Sequence, residues 1–221
     1  MKLRLAETPG WDSPYGKDGA IVPLPKRMRL LHPDALASLD STSNNIADAL
    51  VFTDVFRSPE ASLAARSAKR GVGRPGYSAH NFGLAVDLDV GTTCRRNWPS
   101  ANPMQTKVLL DRLMAGAGWT CYRDDGLPTK SEAWHYTFGA DGHGAAAIEA
   151  VIQHYYGQEL FLDVGRRQKA LAKLGLYRGA LDGDPGPLTR AALAVFSRGW
   201  QSRGGADTDR LLAVLTAEVV A

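Results

Sequence analysis

Two short stretches of this chain combine residue types that can hold a metal ion and move a proton. The first is Tyr77-Ser78-Ala79-His80-Asn81-Phe82-Gly83-Leu84-Ala85-Val86-Asp87-Leu88-Asp89. Its first half is polar and contains glycine, which reads as a loop. From Leu84 it alternates, with Leu84, Val86, Leu88 and Val90 on one parity and Ala85, Asp87 and Asp89 on the other, the mark of a strand with one buried face. Asp87 therefore projects away from the aliphatic set, toward the loop that carries His80. An imidazole and a carboxylate so placed suit a divalent ion such as zinc. The second stretch, Glu132-Ala133-Trp134-His135-Tyr136-Thr137-Phe138, offers another histidine with a carboxylate three residues before it. Two histidines and one aspartate leave the fourth position of a tetrahedral zinc open, the arrangement of a catalytic rather than a structural site. Glu132 is then a candidate general base for a water in that position. On an unbroken strand Glu132 and His135 would face opposite sides. Glu132 must therefore lie in the preceding loop, with the break near Ala133 or Trp134.

Ser78-x-His80-x-x-Gly83-x-Ala85-x-Asp87 followed by Glu132-x-Trp134-His135 resembles the zinc D-Ala-D-Ala carboxypeptidase and L-alanyl-D-glutamate endopeptidase family, which groups with the lysostaphin-like and Hedgehog-like metallopeptidases. The resemblance implies one zinc per chain held by His80, Asp87 and His135, with Glu132 as catalytic base. It also implies a role for Arg57, in Phe56-Arg57-Ser58 where the family has Tyr-Arg-Ser: binding a substrate carboxylate or peptide carbonyl. Asp89 shares a face with Asp87, but the family spacing favours Asp87 as ligand. Ser78 reads as a turn residue near the site, and Trp134 either packs under the metal or meets substrate. His32, His143 and His154 lie outside both motifs and read as structural.

The elements that must position these residues follow from local signals. Residues 1 to about 30 show no clear period and read as an irregular lead-in. Asp34 to Leu50 reads as helix, with the Ser41-Thr42-Ser43-Asn44-Asn45 cluster as a point of division. Leu50 to Phe56 is β-branched and apolar enough for a strand. Ser58, Pro59 and Glu60 then open a helix, with Ser58 as N-cap, that should run to about Lys69 and stop at Gly71. Arg70 to Tyr77 is a Gly-rich loop, and Gly91 to Asn102 reads as irregular. Asn102-Pro103 starts a helix to about Ala115 with Val108, Leu109 and Leu113 inward. Gly118 to Tyr122 is a strand and Arg123 to Lys130 a turn-rich loop. Ala145 to Tyr156 has helical spacing. The order points to an α+β domain, residues 1–157, with a small antiparallel sheet carrying the metal.

After a linker near Gly157–Asp163 the pattern changes. Gln168-x-x-Leu171-x-x-Leu174-Gly175-x-Tyr177-x-Gly179-x-Leu181-Asp182-Gly183-Asp184 and Thr189-x-Ala191-Ala192-x-x-x-Phe196 resemble the three-helix peptidoglycan-binding domain. Residues alone give a helical stripe ended by Gly175, a turn at Asp182–Gly186, a second stripe to Phe196 and a third from Leu211 to Val219. Binding, assigned to residues 163–221, comes only from the resemblance.

Composition sets outer bounds. In 221 residues, hydrophobic content is 44% and charged content 22%, ordinary for a globular chain. A net charge of +3 favours approach to an anionic polymer such as a bacterial wall, and is too small to argue for nucleic acid. Cys94 and Cys121 make no disulfide framework; two reduced thiols or one bridge both fit. No apolar run reaches the roughly 20 residues of a membrane span, and no export leader is legible at Met1-Lys2-Leu3-Arg4-Leu5. Together with the resemblance, the expectation is a monomeric zinc peptidase of phage-endolysin type. It would be made in the cytoplasm without a leader and act on peptidoglycan stem peptides after release; a chain whose leader had been removed would read the same. An appended wall-binding unit favours an endopeptidase over a D-alanyl-D-alanine carboxypeptidase. A non-catalytic wall-binding protein that keeps zinc is the alternative from another class, and the presence of Glu132 argues against it.

Overall fold

Alternation of apolar and polar side chains builds a four-stranded antiparallel sheet at the centre of the chain. The structure, a computed structural model, describes residues 2–41, 44–68, 75–121, 132–142, 145–157, 162–201 and 208–220. The expected helix end at Lys69–Gly71, the loop Arg123–Lys130, His143 and most of the linker lie outside these residues.

Strands β1 (Lys2–Arg4), β2 (Ala6–Glu7), β3 (Asp12–Ser13), β4 (Val22–Pro23) and β5 (Leu30–Leu31) precede helix α1 (Pro33–Leu39). The hairpin strands β6 (Asp40–Ser41) and β7 (Asn44–Asn45) lead to β8 (Phe52–Asp54) and α2 (Pro59–Ser67). Next come β9 (Ala85–Leu88), α3 (Val90–Asn97), α4 (Pro103–Gly116), β10 (Trp119–Cys121), β11 (His135–Phe138) and α5 (Ala145–Tyr156). The chain continues through α6 (Val164–Lys173), α7 (Pro187–Gln201) and α8 (Thr208–Leu215) to β12 (Glu218–Val220). The class is mixed α+β with small, mostly antiparallel sheets, as expected.

The central sheet runs β10-β11-β9-β8. Val86, Leu88, Tyr136, Trp119 and Phe52 face one core, which α4 closes with Leu110 and Met114 and the N-terminal segment with Trp11 and Leu24. Ala85, on the other parity, is also fully buried, packed with Phe82 and Leu84 against Val151, Ile152 and Tyr156 of α5. Only Asp87 of this strand keeps an outlet, with 13% of its side chain exposed. The one-face burial read from the alternation therefore holds for Val86 and Leu88, while α5 covers the start of the other face.

Several expectations need correction. Residues 1–30 are not irregular: β2 pairs with β5 and β3 with β4, and Trp11 stacks on Phe52 at 4.6 Å. These strands are two residues long, too short for periodicity to register. The helix from Pro33 stops at Leu39, and Asp40–Ser41 then pairs antiparallel with Asn44–Asn45. Val90–Asn97 is helical although it reads as irregular, since Asp89 caps it by accepting from the Thr92 amide. On α4 the buried residues are Thr106, Lys107, Leu110 and Met114; Leu113 packs partly buried against the core as expected, while Val108 is exposed. The Asn102–Gln105 capping box fixes the start of that helix. Ser58 caps α2 as expected, its hydroxyl accepting from the Ala61 amide at 3.1 Å. Cys94 and Cys121 are buried free thiols.

The C-terminal helices share their own core of Leu171, Tyr177, Ala192, Phe196, Leu211 and Leu212, with Leu63 of α2 packed against it. The third stripe ends at Leu215, after which β12 pairs in parallel with β1, tying the two ends of the chain together. The turn between α6 and α7 closes on the fully buried Gln168. Its amide nitrogen lies 3.0 Å from both Asp182 Oδ1 and Thr189 Oγ1, and 3.1 Å from the Asp184 carbonyl; its oxygen accepts from the Gly183 amide at 2.9 Å. Replacing this side chain with an apolar one strands buried polar partners. Gln168→Leu should lower unfolding free energy by about 2 kcal/mol, read as a lower urea midpoint; an unchanged midpoint would show that the turn closes without the amide.

Candidate metal centre

His80 stands on a 3-10 turn, Ala79–Phe82, ended by Gly83 in the left-handed region at φ 66. Gly83 is required twice over. A side chain there would be strained at that φ, and its Cβ would sit 2.5 Å from Leu5 Cδ2 and 2.8 Å from the His32 amide nitrogen. Asn81, fully buried, fastens the turn to its surroundings. Its amide donates to the Arg57 carbonyl at 2.7 Å and to Ser62 Oγ at 3.1 Å, and its oxygen accepts from the Gly76 amide at 2.9 Å. The loop also leans on α8. The buried Arg210 lies over the rings of Tyr77 at 4.9 Å and Phe82 at 5.9 Å and pairs with Glu149 of α5. Gly76 packs so closely on α8 that a Cβ would meet Leu211 Cα at 3.1 Å.

Asp87 and His135 are brought together by strand register, for they are direct Cα partners across β9 and β11. Three ligand-type atoms then converge: His80 Nε2 and His135 Nδ1 at 3.2 Å, His80 Nε2 and Asp87 Oδ1 at 3.2 Å, and His135 Nδ1 and Asp87 Oδ1 at 2.8 Å. Among the described residues this is the one such cluster of histidine, cysteine and carboxylate side chains. Ligands at about 2.0–2.1 Å from a tetrahedral ion stand about 3.3 Å from each other, so the triangle is close to the required size.

Hydrogen bonding fixes which lone pairs point inward. His80 Nδ1 lies 2.7 Å from the Val55 carbonyl, which can only accept, so Nδ1 carries the proton and Nε2 presents a lone pair to the cluster. The Thr137 hydroxyl, 3.2 Å from His135 Nε2, can accept and so lets His135 present its Nδ1 lone pair. Converging lone pairs in a site this enclosed repel unless a cation or a proton lies between them. Burial alone would depress the His80 imidazole, but the carboxylates of Asp87 and Asp54 hold its pKa above the usual histidine value of 6.5. Burial would likewise lift Asp87, yet His80 and His135 hold its carboxyl well below the usual carboxylate range. The group could therefore hold one metal ion, and at a pH below the raised His80 pKa a proton occupies it instead.

The other sequence candidates are placed as follows. Glu132 lies just before β11, which begins at His135 after a turn at Ala133–Trp134, as the parity argument requires. Its carboxylate is not one of the converging atoms. Its backbone is left-handed at φ 55, and its carbonyl accepts from the His135 amide at 2.9 Å. Arg57 donates from Nε to Asp54 Oδ2 at 2.7 Å, pairs with the same oxygen through Nη2, and lies 3.7 Å from Asp87 Oδ2. Asp89 is spent on capping α3, with both oxygens accepting from Thr92, which leaves Asp87 as the candidate ligand of the pair. Ser78 precedes the 3-10 turn without capping it, and Trp134 is half exposed. Sequence reasoning missed Asp54 and Arg210. Asp54 carries a signal in hindsight, sitting three residues before Arg57 at the end of a strand; Arg210 carries none, since it reaches the site from a distant helix. No known protein family and no curated protein matches the chain.

Because a zinc ion must displace the proton, its affinity should rise with pH through the raised His80 pKa and level off above it. Calorimetric titration with zinc at about pH 6 in two buffers of different ionisation enthalpy should show roughly one proton released per ion. His135→Ala should abolish stoichiometric binding, and full zinc content in that variant would remove the cluster as the binding site.

Proposed function

We propose that the protein is a zinc-dependent peptidase of bacterial peptidoglycan that cuts within stem peptides, with His80, Asp87 and His135 holding one zinc ion and Glu132 as general base. The observation that carries this reading is the convergence of three inward-facing ligand atoms next to a strained acidic residue. A non-glycine residue in the left-handed region costs roughly 1–2 kcal/mol, and such strain gathers at functional sites. Glu132 and Asp18 are the non-glycine residues with positive φ among those described. The choice of peptidoglycan rests on the motif resemblance, and so does the assignment of residues 1–157 to catalysis and 163–221 to wall binding.

A zinc ion held there would polarise the scissile carbonyl and bring the pKa of a water from about 15.7 toward about 7. The chain's own groups divide the remaining work. Glu132 accepts the proton of the attacking water and returns it to the leaving amine, so that hydroxyl joins the carbonyl carbon as the C–N bond breaks and hydrogen joins nitrogen. Val55 and Thr137 hold the two imidazoles in orientation. Arg57, anchored by Asp54, presents positive charge beside the outer oxygen of Asp87, where it can also meet a substrate carboxylate or carbonyl. The binding unit favours cleavage inside the polymer over removal of a terminal D-Ala.

Zinc-loaded protein should release peptide fragments from purified sacculi, identified by mass spectrometry, and a chelator should stop it. Release of free D-Ala alone would instead identify a carboxypeptidase, and intact sacculi after prolonged digestion would leave a zinc-binding wall protein. Glu132→Asn separates chemistry from folding, since asparagine tolerates left-handed backbone. It should keep zinc and at least the parent's melting temperature while losing about 10²- to 10⁴-fold in rate. Retained turnover would take Glu132 out of the mechanism.

A further inference from the structure

A cavity of about 730 Å³ adjoins the metal cluster, and Asp87 belongs to both. That size lies within the roughly 300–1,000 Å³ of small-ligand sites. Leu88 and Val90, Pro103 and Met104 from the start of α4, and Trp134 supply most of its apolar lining. Met104 and Trp134, 66% and 48% exposed, are two large apolar groups of the lining that the rest of the chain leaves largely uncovered. Besides Asp87, two charged residues line the space, and the charge of each is already engaged. The buried Lys107 ammonium pairs with Asp111, lies 5.3 Å above the Tyr136 ring and 3.4 Å from Cys121 Sγ. Both oxygens of Asp89 accept from Thr92. Away from Asp87, a charged group pushed into this cavity would shed water and meet no unengaged counter-charge, whereas a hydrocarbon would bury itself against the apolar lining.

We propose that the cavity is a substrate subsite for a long hydrocarbon side chain of the peptide, with any charged end of that chain left at the mouth. This rests on the peptidase reading for what the neighbouring cluster does, and on the cavity alone for what fits. An alanine methyl would fill little of the space. The methylenes of a lysine-type side chain would cover Trp134 and Met104 while its ammonium stays in water. Each methylene so buried contributes a factor of about four in binding.

The test uses stem-type tetrapeptides, L-Ala-γ-D-Glu-X-D-Ala, with alanine, norleucine, lysine or glutamate at X. Binding is measured by calorimetry on the full, zinc-loaded chain carrying Glu132→Asn, and cleavage is measured on the native chain. The norleucine and lysine peptides should bind at least tenfold tighter than the alanine and glutamate peptides, with the same order in kcat/KM. Met104→Glu, at an exposed position in the first turn of α4 where an acid is tolerated, should reduce that preference below about threefold. Equal binding of all four peptides, tightest binding of the glutamate peptide, or a preference untouched by Met104→Glu would overturn the subsite. Side-chain preference in binding without any cleavage would keep the subsite and remove the peptidase reading. Cleavage without preference would do the reverse, and neither binding nor cleavage would remove both.

Discussion

The pairing of β9 with β11 is the constraint on which the site depends. His135 opposes Asp87, Tyr136 opposes Val86 and Thr137 opposes Ala85. A slip of β11 by one residue would turn His135 away from Asp87 and drive Tyr136 out of the core. The metal-type ligands are therefore placed by the same apolar packing that stabilises the sheet. Tyr136 is fully buried, with its hydroxyl donating to Asp111 at 2.8 Å, so this register is held by shape and by a buried hydrogen bond together. On the opposite edge β8 meets β9 with an irregularity: Phe52 opposes Leu88 but Asp54 opposes Asp87, leaving Thr53 as the extra residue. That bulge brings a second carboxylate alongside the first, an arrangement bulges often serve next to functional sites.

Two carboxylates so close would repel each other without compensation. Arg57 supplies it, engaging Asp54 directly and lying 3.7 Å from the outer oxygen of Asp87. Asp54 has only 15% of its side chain exposed, and removing the guanidinium would take away its cation partner, an unfavourable change for a nearly buried charge. Arg57 thus has a structural task whatever it does for substrate. Its backbone has one too, since its amide donates to the His80 carbonyl at 3.3 Å and its carbonyl accepts from Asn81. Strand β8, the 3-10 turn and β9 are in this way stitched around a single arginine.

What the sequence disclosed about this site was short in range. The spacing of His80 and Asp87, the parity that puts Asp87 off the aliphatic face, and the need for a break before His135 are all properties of single segments, and periodicity reads single segments well. The helix starts at Ser58-Pro59 and Asn102-Pro103 belong to the same kind of signal, because a cap is completed within four residues. The misses have a different origin. The β3–β4 pair holds because Trp11 stacks on Phe52, some forty residues away, and nothing local to Asp12-Ser13 declares it. On α4 the inward Lys107 defeats a hydrophobicity count, since its charge is met by Asp111 one turn later and by the face of Tyr136. Asp89 looked like a rival ligand until the helix that it caps was in place. The tie between chain ends, β1 to β12, spans nearly the whole sequence and has no local trace.

The C-terminal helices bear on the metal loop in a way that a flexible tether would not. Gly76 admits α8 against the backbone of the loop, and Arg210 lies across Tyr77 and Phe82 while bound to Glu149 of α5. A long flexible linker raises local concentration but leaves orientation open. Here α8 touches the loop at Gly76 and Tyr77 and lies over Phe82 of the turn that carries His80, and β12 locks onto β1, so any surface on α6, α7 or α8 is held at a set position relative to the cluster. A buried arginine is costly to desolvate, and its retention at this junction makes sense if the position of the loop matters more than the cost. The strain at Glu132 follows the same logic. His135 is fixed by register, and its amide donates to the Glu132 carbonyl, so the glutamate takes the left-handed backbone that the turn leaves to it. Packing elsewhere in the chain thus maintains two locally unfavourable features, a buried cation against the loop that carries His80 and a left-handed glutamate backbone bonded to His135.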